Sequence, residues 1–290
     1  MRFCLALSLL FLFSYGNAQE LKKPAIIPFT MSPNGHIMIT ATINGKDGNF
    51  IFDTGAGVHL LTKKFADGID NLKSSNHIHT GHRATGEAIT TPIFEVDSMG
   101  LGLYHIKNAK VSVYDIDFPL DGLIGLTPFL NHPLTIDFKN KQLIVETDKS
   151  FKSRIEKADF EIPIQVKNDR DLEVSIFASI LLNDTLELIV GLDSGAGSDV
   201  YRFNARYLEN FKLDSTAIKS EFRPSYFDPE EGNMYHFVEM QHLSDINKNV
   251  IKKNFQATFI EGLIYEGIMG INWIGDILTI DIANKRLLVK

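Results

Sequence analysis

Short apolar segments separated by turn residues run along most of this chain. Segments such as HIMITATI in the first half and LEVSIFASIL in the second are rich in Ile, Val, Phe and Thr. Asn, Asp and Gly separate them, as in NGKDG, which is typical of strands joined by hairpins. Helical periodicity is rare, and its best matches are residues 200–213 and 246–255. The pattern therefore predicts an all-β chain with little helix.

The order of these segments occurs twice. The sequence LTIDFKNKQLIV at residues 134–145 recurs as LTIDIANKRLLV at residues 278–289, with eight of the twelve positions identical. In the same order along the chain, DGLIGL is matched by EGIMGI, and GNFIFDTGAG is matched by LIVGLDSGAG. Similarity of this kind indicates a duplicated structural unit.

We predict four parts: a secretory signal peptide, two lobes and a linker. Residues 1–18 have an early Arg, a short apolar run and small residues before Gln19, which is the order of a signal peptide. Residues 19–148 and 160–290 carry the two copies of the repeat, and each is predicted to form one lobe. The charged, weakly apolar residues 149–159 join them.

Composition limits the partners and the location. No segment reaches the roughly 20 apolar residues that span a bilayer, so we expect no integral membrane segment. A formal net charge of -7 and the lack of Lys or Arg runs argue against a nucleic acid partner. The only cysteine, Cys4, lies in the signal peptide, so the exported chain has no disulfide. We therefore expect a bacterial protein that is periplasmic or secreted.

An acidic residue ends an apolar strand in each copy of the repeat. Asp53 follows NFIF and Asp193 follows LIVGL at equivalent positions. An unpaired carboxylate at the end of a buried strand is costly, so we expect the two acids to meet in a cleft between the lobes. Two carboxylates in contact share one proton, and such a pair can activate water for attack on an amide without a metal or cofactor.

Small residues follow both acids. Thr54 and Ser194 come first and supply short hydroxyls that can bond across the boundary between the lobes. Gly55 and Gly195 come next and let the backbone approach the carboxylates closely. We predict the two acids as the catalytic residues and these four residues as their support.

These motifs resemble those of the aspartic protease superfamily. DTGA at residues 53–56 and DSGA at residues 193–196 are each followed by two apolar residues and a glycine, at 123–125 and 268–270. The chain is most similar to the retropepsin-like aspartyl proteases of bacterial envelopes. The resemblance implies two similar retropepsin-like β-barrel lobes in a pepsin-like bilobal arrangement. Their central cleft would bind a peptide or unfolded protein, and one chain holding both halves would be a monomer.

The resemblance also implies a flap, which is a glycine-containing hairpin that closes over the substrate. GHRATGEA at residues 81–88, with Gly81, Thr85 and Gly86, is the predicted flap. Its glycines and small tip residues give the backbone freedom to open and close. Residues 223–233 in the second half do not obviously match it. An ordinary exposed hairpin is the alternative interpretation.

We predict an aspartic endopeptidase and keep two alternatives. A catalytically inactive peptide-binding protein of the same fold would carry the same motifs, as would an envelope protein that uses the two-lobed sheet for assembly. Ser194 as a serine nucleophile lacks a matching order of His and Asp. The clustered His77, His79 and His82 fit solvated strand positions better than a metal site, so we predict no metal.

Overall fold

The computed structural model describes residues 21–213, 218–225 and 230–290. The predicted signal peptide, residues 1–18, lies outside the described residues. The described chain is mostly β-strand, which confirms the mostly β prediction. None of its helices is long and apolar enough to cross a membrane.

Twenty-one strands and five short helices make up the described residues. The first half contains the strands β1 (Ala25–Pro28), β2 (Thr30–Met31), β3 (Ile37–Ile43), β4 (Lys46–Phe52), β5 (Leu60–Thr62), β6 (Lys73–His82), β7 (Ala88–Leu101), β8 (Tyr104–Tyr114), β9 (Gly122–Ile124), β10 (Leu134–Asp137) and β11 (Gln142–Val145). The second half contains β12 (Phe160–Asp169), β13 (Glu173–Leu182), β14 (Leu186–Leu192), β15 (Tyr201–Asn204), β16 (Lys219–Pro224), β17 (Gly232–Asp245), β18 (Ile251–Ile260), β19 (Gly267–Met269), β20 (Ile277–Asp281) and β21 (Arg286–Val289). The helices are α1 (Lys63–Ala66), α2 (Asp148–Lys157) and the 3-10 helices Thr127–Phe129, Ser194–Ala196 and Ala205–Asn210.

Six strands of the first half form a closed barrel. Strands β3, β4, β9, β5, β8 and β7 pair in that order, and pairing of β3 with β7 closes the ring. Alternate residues of β3 are buried, as expected for a strand with one face toward a core. The aromatic side chains of Phe50 and Phe52 on β4 are fully buried in that core.

The second half belongs to a larger sheet of thirteen strands. Its strands β13, β14, β19, β15, β18 and β17 pair in the same order as the barrel strands, and β13 also pairs with β17. These strands continue through β12 and β21 into β20, β10, β11 and β1, so the second half is not a clean barrel. This corrects the prediction of two similar barrels.

The difference follows from how the chain enters each half. In the first half the strand is interrupted at Phe29, between β1 and β2, so β1 lies in the large sheet while β2 pairs with the barrel. In the second half β12 is continuous over ten residues and pairs with both β21 and β13. One uninterrupted strand therefore fuses the second half to the shared sheet.

The two copies of the LTID sequence lie side by side at the centre of that sheet. Strands β10 and β20 are antiparallel, with Leu134 opposite Ile280 and Thr135 opposite Thr279. The two threonine hydroxyls are 2.8 Å apart and buried. Equivalent residues of the duplicated sequence thus meet near a local two-fold axis, as expected for a symmetric pair.

Neither of the two segments with the best helical periodicity forms an α-helix. Residues 200–213 hold β15 and the 3-10 helix Ala205–Asn210, and residues 246–255 hold a turn and the start of β18. Tyr201 and Phe203 both point into the core at a spacing of two, so strand packing overrides the weak helical periodicity. The predicted linker, residues 149–159, holds most of α2.

Candidate active site

The two acids leave equivalent strands of the two halves. Asp53 follows β4, and its N–H donates to the carbonyl of Ile124 on the parallel strand β9 at 2.9 Å. Asp193 follows β14, and its N–H donates to the carbonyl of Met269 on β19 at 2.8 Å. Each acid is therefore fixed beside the glycine triplet of its own half.

The structure brings the two acids together. The carboxylate of each acid packs against the glycine that follows the acid of the other half. A Cβ atom added to Gly55 would lie 2.5 Å from Cγ of Asp193. A Cβ atom added to Gly195 would overlap Cγ of Asp53. Any side chain at either position would collide with a carboxylate, so this approach requires glycine.

Two hydroxyls hold the strand ends together across the boundary between the halves. Thr54 Oγ1 donates to the carbonyl of Leu192 at 2.6 Å, and Ser194 Oγ donates to the carbonyl of Phe52 at 2.9 Å. Each hydroxyl also accepts the backbone N–H of the other residue at 3.0 Å. Both side chains are buried, so these four hydrogen bonds are shielded from water.

The carboxylates differ in their surroundings. The N–H groups of Gly55 and Ala56 donate to Oδ1 of Asp53 at 2.8 and 2.9 Å, while the N–H of Ala196 donates to Oδ1 of Asp193 at 3.0 Å. Burial, followed by the charge and hydrogen bond of Asp53, raises the pKa of Asp193 well above its usual range. The pair therefore retains a proton to higher pH than an isolated aspartate does.

A cavity of about 390 Å³ lies directly over the two acids. Apolar side chains of both halves line it, together with the turn that follows β6; its lining includes Leu123, Phe177, Tyr265, Ile268, His82 and Ala84. Its size is in the range of ligand-binding clefts, and Asp53 and Asp193 are the only acids among the described residues that line it.

The predicted flap covers this cavity. Gly81 lies in β6, and Thr85 and Gly86 lie in the turn between β6 and β7. Gly86 has a φ of +93°, a conformation that favours glycine. Ala84 at the tip accepts a hydrogen bond of 2.9 Å from the N–H of Ile264 in the second half. The flap thus reaches across the cleft.

Side chains at the base of the flap also contact the second half. The Glu87 carboxylate accepts from Arg83 and Thr85 at 2.7 Å each, and it contacts the hydroxyl of Ser225. Ser225 follows β16, and the pair β16 and β17 occupies the place that β6 and β7 hold in the first half. The two hairpins therefore meet above the acids, a contact the sequence did not reveal.

His59 is a buried residue of the site that the sequence analysis missed. Its Nδ1 accepts from the N–H of Gly125 at 3.0 Å, and its Nε2 lies 2.7 Å from the hydroxyl of Thr127. Burial lowers the pKa of His59 to about 4. In the second half the N–H of Gly270 donates to the carbonyl of Val200 instead. The sequence feature that could have indicated His59 is a lone histidine in the apolar segment GVHLL.

Comparison with known families agrees with this geometry. Residues 39–127 match the family model described as Aspartyl protease. The match spans the barrel, Asp53 and the triplet that ends at Gly125, so this part of the chain is a retropepsin-like aspartyl protease domain. That family implies aspartic peptidase activity and peptide substrates. Comparison with curated proteins finds no match.

We predict that His59 makes the protein less stable in acid. The unfolded histidine binds a proton near pH 6.5 and the folded one only near pH 4, so stability is full above 6.5 and falls until about 4. Between these limits the loss approaches about 3 kcal/mol of unfolding free energy. Urea unfolding at pH 7, 5 and 4 should show this loss in the natural protein but not in His59→Asn.

Asn keeps an acceptor for Gly125 and has no titrating group in this range. His105, an exposed histidine on β8, provides the control, and His105→Asn should follow the natural protein. Parallel pH profiles for the natural protein and His59→Asn would contradict the assignment.

We also predict that Asp193 lowers stability at neutral pH. The pKa of Asp193 is higher in the folded protein than in the unfolded chain. Its contribution to the unfolding free energy is therefore fully present below pH 4 and is lost as the pH rises through the pKa of the folded protein. Asp193→Asn should therefore raise the unfolding free energy at pH 7, with a smaller gain at pH 4. Asp199→Asn gives the contrast, since Lys252 lowers the pKa of Asp199, and it should not stabilise. The prediction would be refuted if the gain in unfolding free energy of Asp193→Asn over the natural protein were smaller at pH 7 than at pH 4.

Proposed function

We propose that the protein is an aspartic endopeptidase whose catalytic residues are Asp53 and Asp193. The observation that supports this most strongly is the crossed contact of each acid with the glycine that follows the other acid. The crossed hydroxyl bonds of Thr54 and Ser194 hold that contact without blocking the face toward the cavity. Two carboxylates facing a peptide-sized cleft are suited to amide hydrolysis.

Like charges in contact do not both ionise, so the pair holds one proton. We assign this proton to Asp193, whose pKa is raised, and the role of base to the Asp53 carboxylate. Asp53 removes a proton from the bound water while the water oxygen attacks the amide carbon, and Asp193 donates its proton to the carbonyl oxygen. When the C–N bond breaks, the proton on Asp53 moves to the leaving nitrogen, and the hydroxyl proton returns to Asp193. The acids end as they began, with one proton between them.

We further propose a pepsin-like arrangement with lobes at residues 19–148 and 160–290 and a linker at residues 149–159. The shared order of strand pairing in the two halves supports it. Because each half supplies one acid, a single chain is sufficient for the site and we propose a monomer. The signal-like residues 1–18 support export to a bacterial periplasm or medium.

The two acids should act as one unit in catalysis. Asp53→Asn and Asp193→Asn should each lower kcat by at least about a thousandfold, and the double variant should be scarcely slower than either, since jointly acting residues are not additive. Digestion of a fluorogenic peptide library from about pH 4 to 8 measures this. Ser198→Ala, next to the second motif, serves as the control and should keep its activity.

A single variant that retains more than about a tenth of the natural rate would contradict the shared-water mechanism. Peptides that bind the natural protein and are never cleaved would favour the inactive peptide-binding alternative instead.

The flap should contribute to turnover as well as to binding. Replacing residues 83–86 with a short turn removes the Ala84 contact to Ile264, and kcat/KM should fall by at least about tenfold, or about 1.4 kcal/mol. Leu103→Ser, at the exposed turn at the other end of β7, is the control. Amide exchange in residues 81–88 should also slow when a peptide-like inhibitor binds. If the replacement variant had the same kcat/KM as the natural protein, the stretch would be an ordinary hairpin.

A further inference from the structure

The two halves place different side chains at one equivalent position beside the acids. In the barrel, Leu60 on β5 lies opposite Leu123, the first residue of the glycine triplet. In the second half, Arg202 on β15 lies opposite Ile268, the first residue of the matching triplet. The local symmetry therefore relates an apolar side chain to a cationic one.

Each of these side chains lines a pocket of its own. The Leu60 pocket measures about 460 Å³, and its acid Glu173 is neutralised by Lys167 at 2.8 Å, with His79 at 3.4 Å. The pocket around Arg202 measures about 380 Å³, and we call it the basic pocket. Among the residues that the structure describes, its lining contains three cations and one acid. The residues that define it are Arg202, Arg223, Lys252, Asp199, Tyr235 and Thr258.

Arg202 differs from the other two described cations of the basic pocket in its contacts. Lys252 pairs with Asp199 at 2.9 Å, and Arg223 pairs with Glu221 at 3.3 Å. The half-buried side chain of Arg202 forms no ion pair or hydrogen bond within the part of the chain that the structure describes. A partly desolvated charge without a partner is unfavourable, so its presence in a pocket points to a ligand of opposite charge.

The basic pocket adjoins the cleft. Ile268, which pairs with Arg202, also lines the cavity that contains Asp53 and Asp193. The positive charge of Arg202 acts to lower the pKa of Asp193, against the larger effect of burial. The guanidinium therefore lies within electrostatic reach of the acid pair. A peptide held over the acids can extend a neighbouring residue into this pocket.

We propose that Arg202 binds a carboxylate of the substrate, so that the protein selects peptides with an acidic group on the side that lies over the second half. The proposal rests on the proposed peptidase function. A guanidinium forms two parallel hydrogen bonds with a carboxylate, which gives both strength and direction. The chain as a whole has a net charge of -7 and repels acidic peptides, so this selectivity must come from the local site.

Binding can be measured without cleavage in Asp53→Asn. The probes are ten-residue peptides with blocked ends and an apolar centre, carrying a single Glu at successive positions, and each has a Gln counterpart. Fluorescence polarisation at about 50 mM salt should show one Glu position that binds at least tenfold tighter than Gln, or about 1.4 kcal/mol. A further Gln peptide with a free C-terminus tests the other source of a carboxylate.

The preference should depend on Arg202 alone. Added to Asp53→Asn, Arg202→Gln should reduce the Glu-to-Gln ratio to about one, and Arg202→Glu should favour Lys peptides. Arg206→Gln is the matched control, since Arg206 is exposed and outside the basic pocket, and it should keep the ratio. Circular dichroism checks folding. Independently of any Arg202 variant, raising the salt to about 500 mM should lower the ratio several-fold.

The outcomes separate this proposal from the proposed function. Equal binding of Glu, Gln and free C-terminal peptides, or a preference that persists in a folded Arg202→Gln, would overturn the basic pocket as a carboxylate site. A gain with the free C-terminus alone supports it, with the chain end as the source. If the Arg202-dependent preference holds but the natural protein cleaves none of the peptides, the peptidase proposal fails and the carboxylate site stands.

Discussion

The close contact of two carboxylates at the junction of the halves is the constraint on which the rest of the structure depends. Buried like charges repel, so the strand ends that carry Asp53 and Asp193 need a rigid attachment to each other. The crossed hydrogen bonds of Thr54 and Ser194 supply it, and Gly55 and Gly195 leave room for it. The shared sheet holds the same two halves together on a larger scale, through the pairing of β10 with β20. The crossed hydrogen bonds and the pairing of these two strands are therefore related by the same approximate two-fold axis.

Away from this junction the two halves differ in their local structure. The N–H of Gly125 donates to a histidine side chain, whereas that of Gly270 donates to a backbone carbonyl. The first half closes as a barrel, and the second merges with the large sheet through β12. A peptide strand has a direction and therefore needs a cleft whose two sides can be distinguished. If the cleft binds a peptide as proposed, the contrast between Leu60 and Arg202 provides that distinction next to the acids.

Much of the centre of this protein could be predicted from its sequence. Duplicated segments indicated where Asp193 would lie relative to Asp53, because equivalent strand ends meet when two copies pack symmetrically. Side-chain period and turn residues gave the mostly β character. The fusion of the second half with the large sheet could not be predicted. It depends on whether the entering strand is interrupted, as at Phe29, or continuous, as in β12, and this is a difference of one or two residues. Residues 200–213 form a strand and a 3-10 helix despite their helical periodicity, because the pairing of β15 with β18 and β19 is not local in sequence.

Other parts of the site depend on contacts between segments far apart in the chain. The contact between the flap and Ser225 joins residues well over a hundred positions apart, and neither segment alone indicates it. Arg202 has no unusual sequence context; its significance comes only from its equivalence to Leu60 in the sheet. His59 could have been noticed as a lone histidine in an apolar segment, although its partner Gly125 could not.

The titrating groups around the acids set limits on the pH range in which the site can work. A raised pKa at Asp193 extends the singly protonated state of the pair toward neutral pH. His59 acts at the other end of the range, since its protonation between pH 6.5 and 4 favours the unfolded chain. If the pair is catalytic as proposed, activity in acid would depend on the stability of the barrel as well as on the protonation of the acid pair.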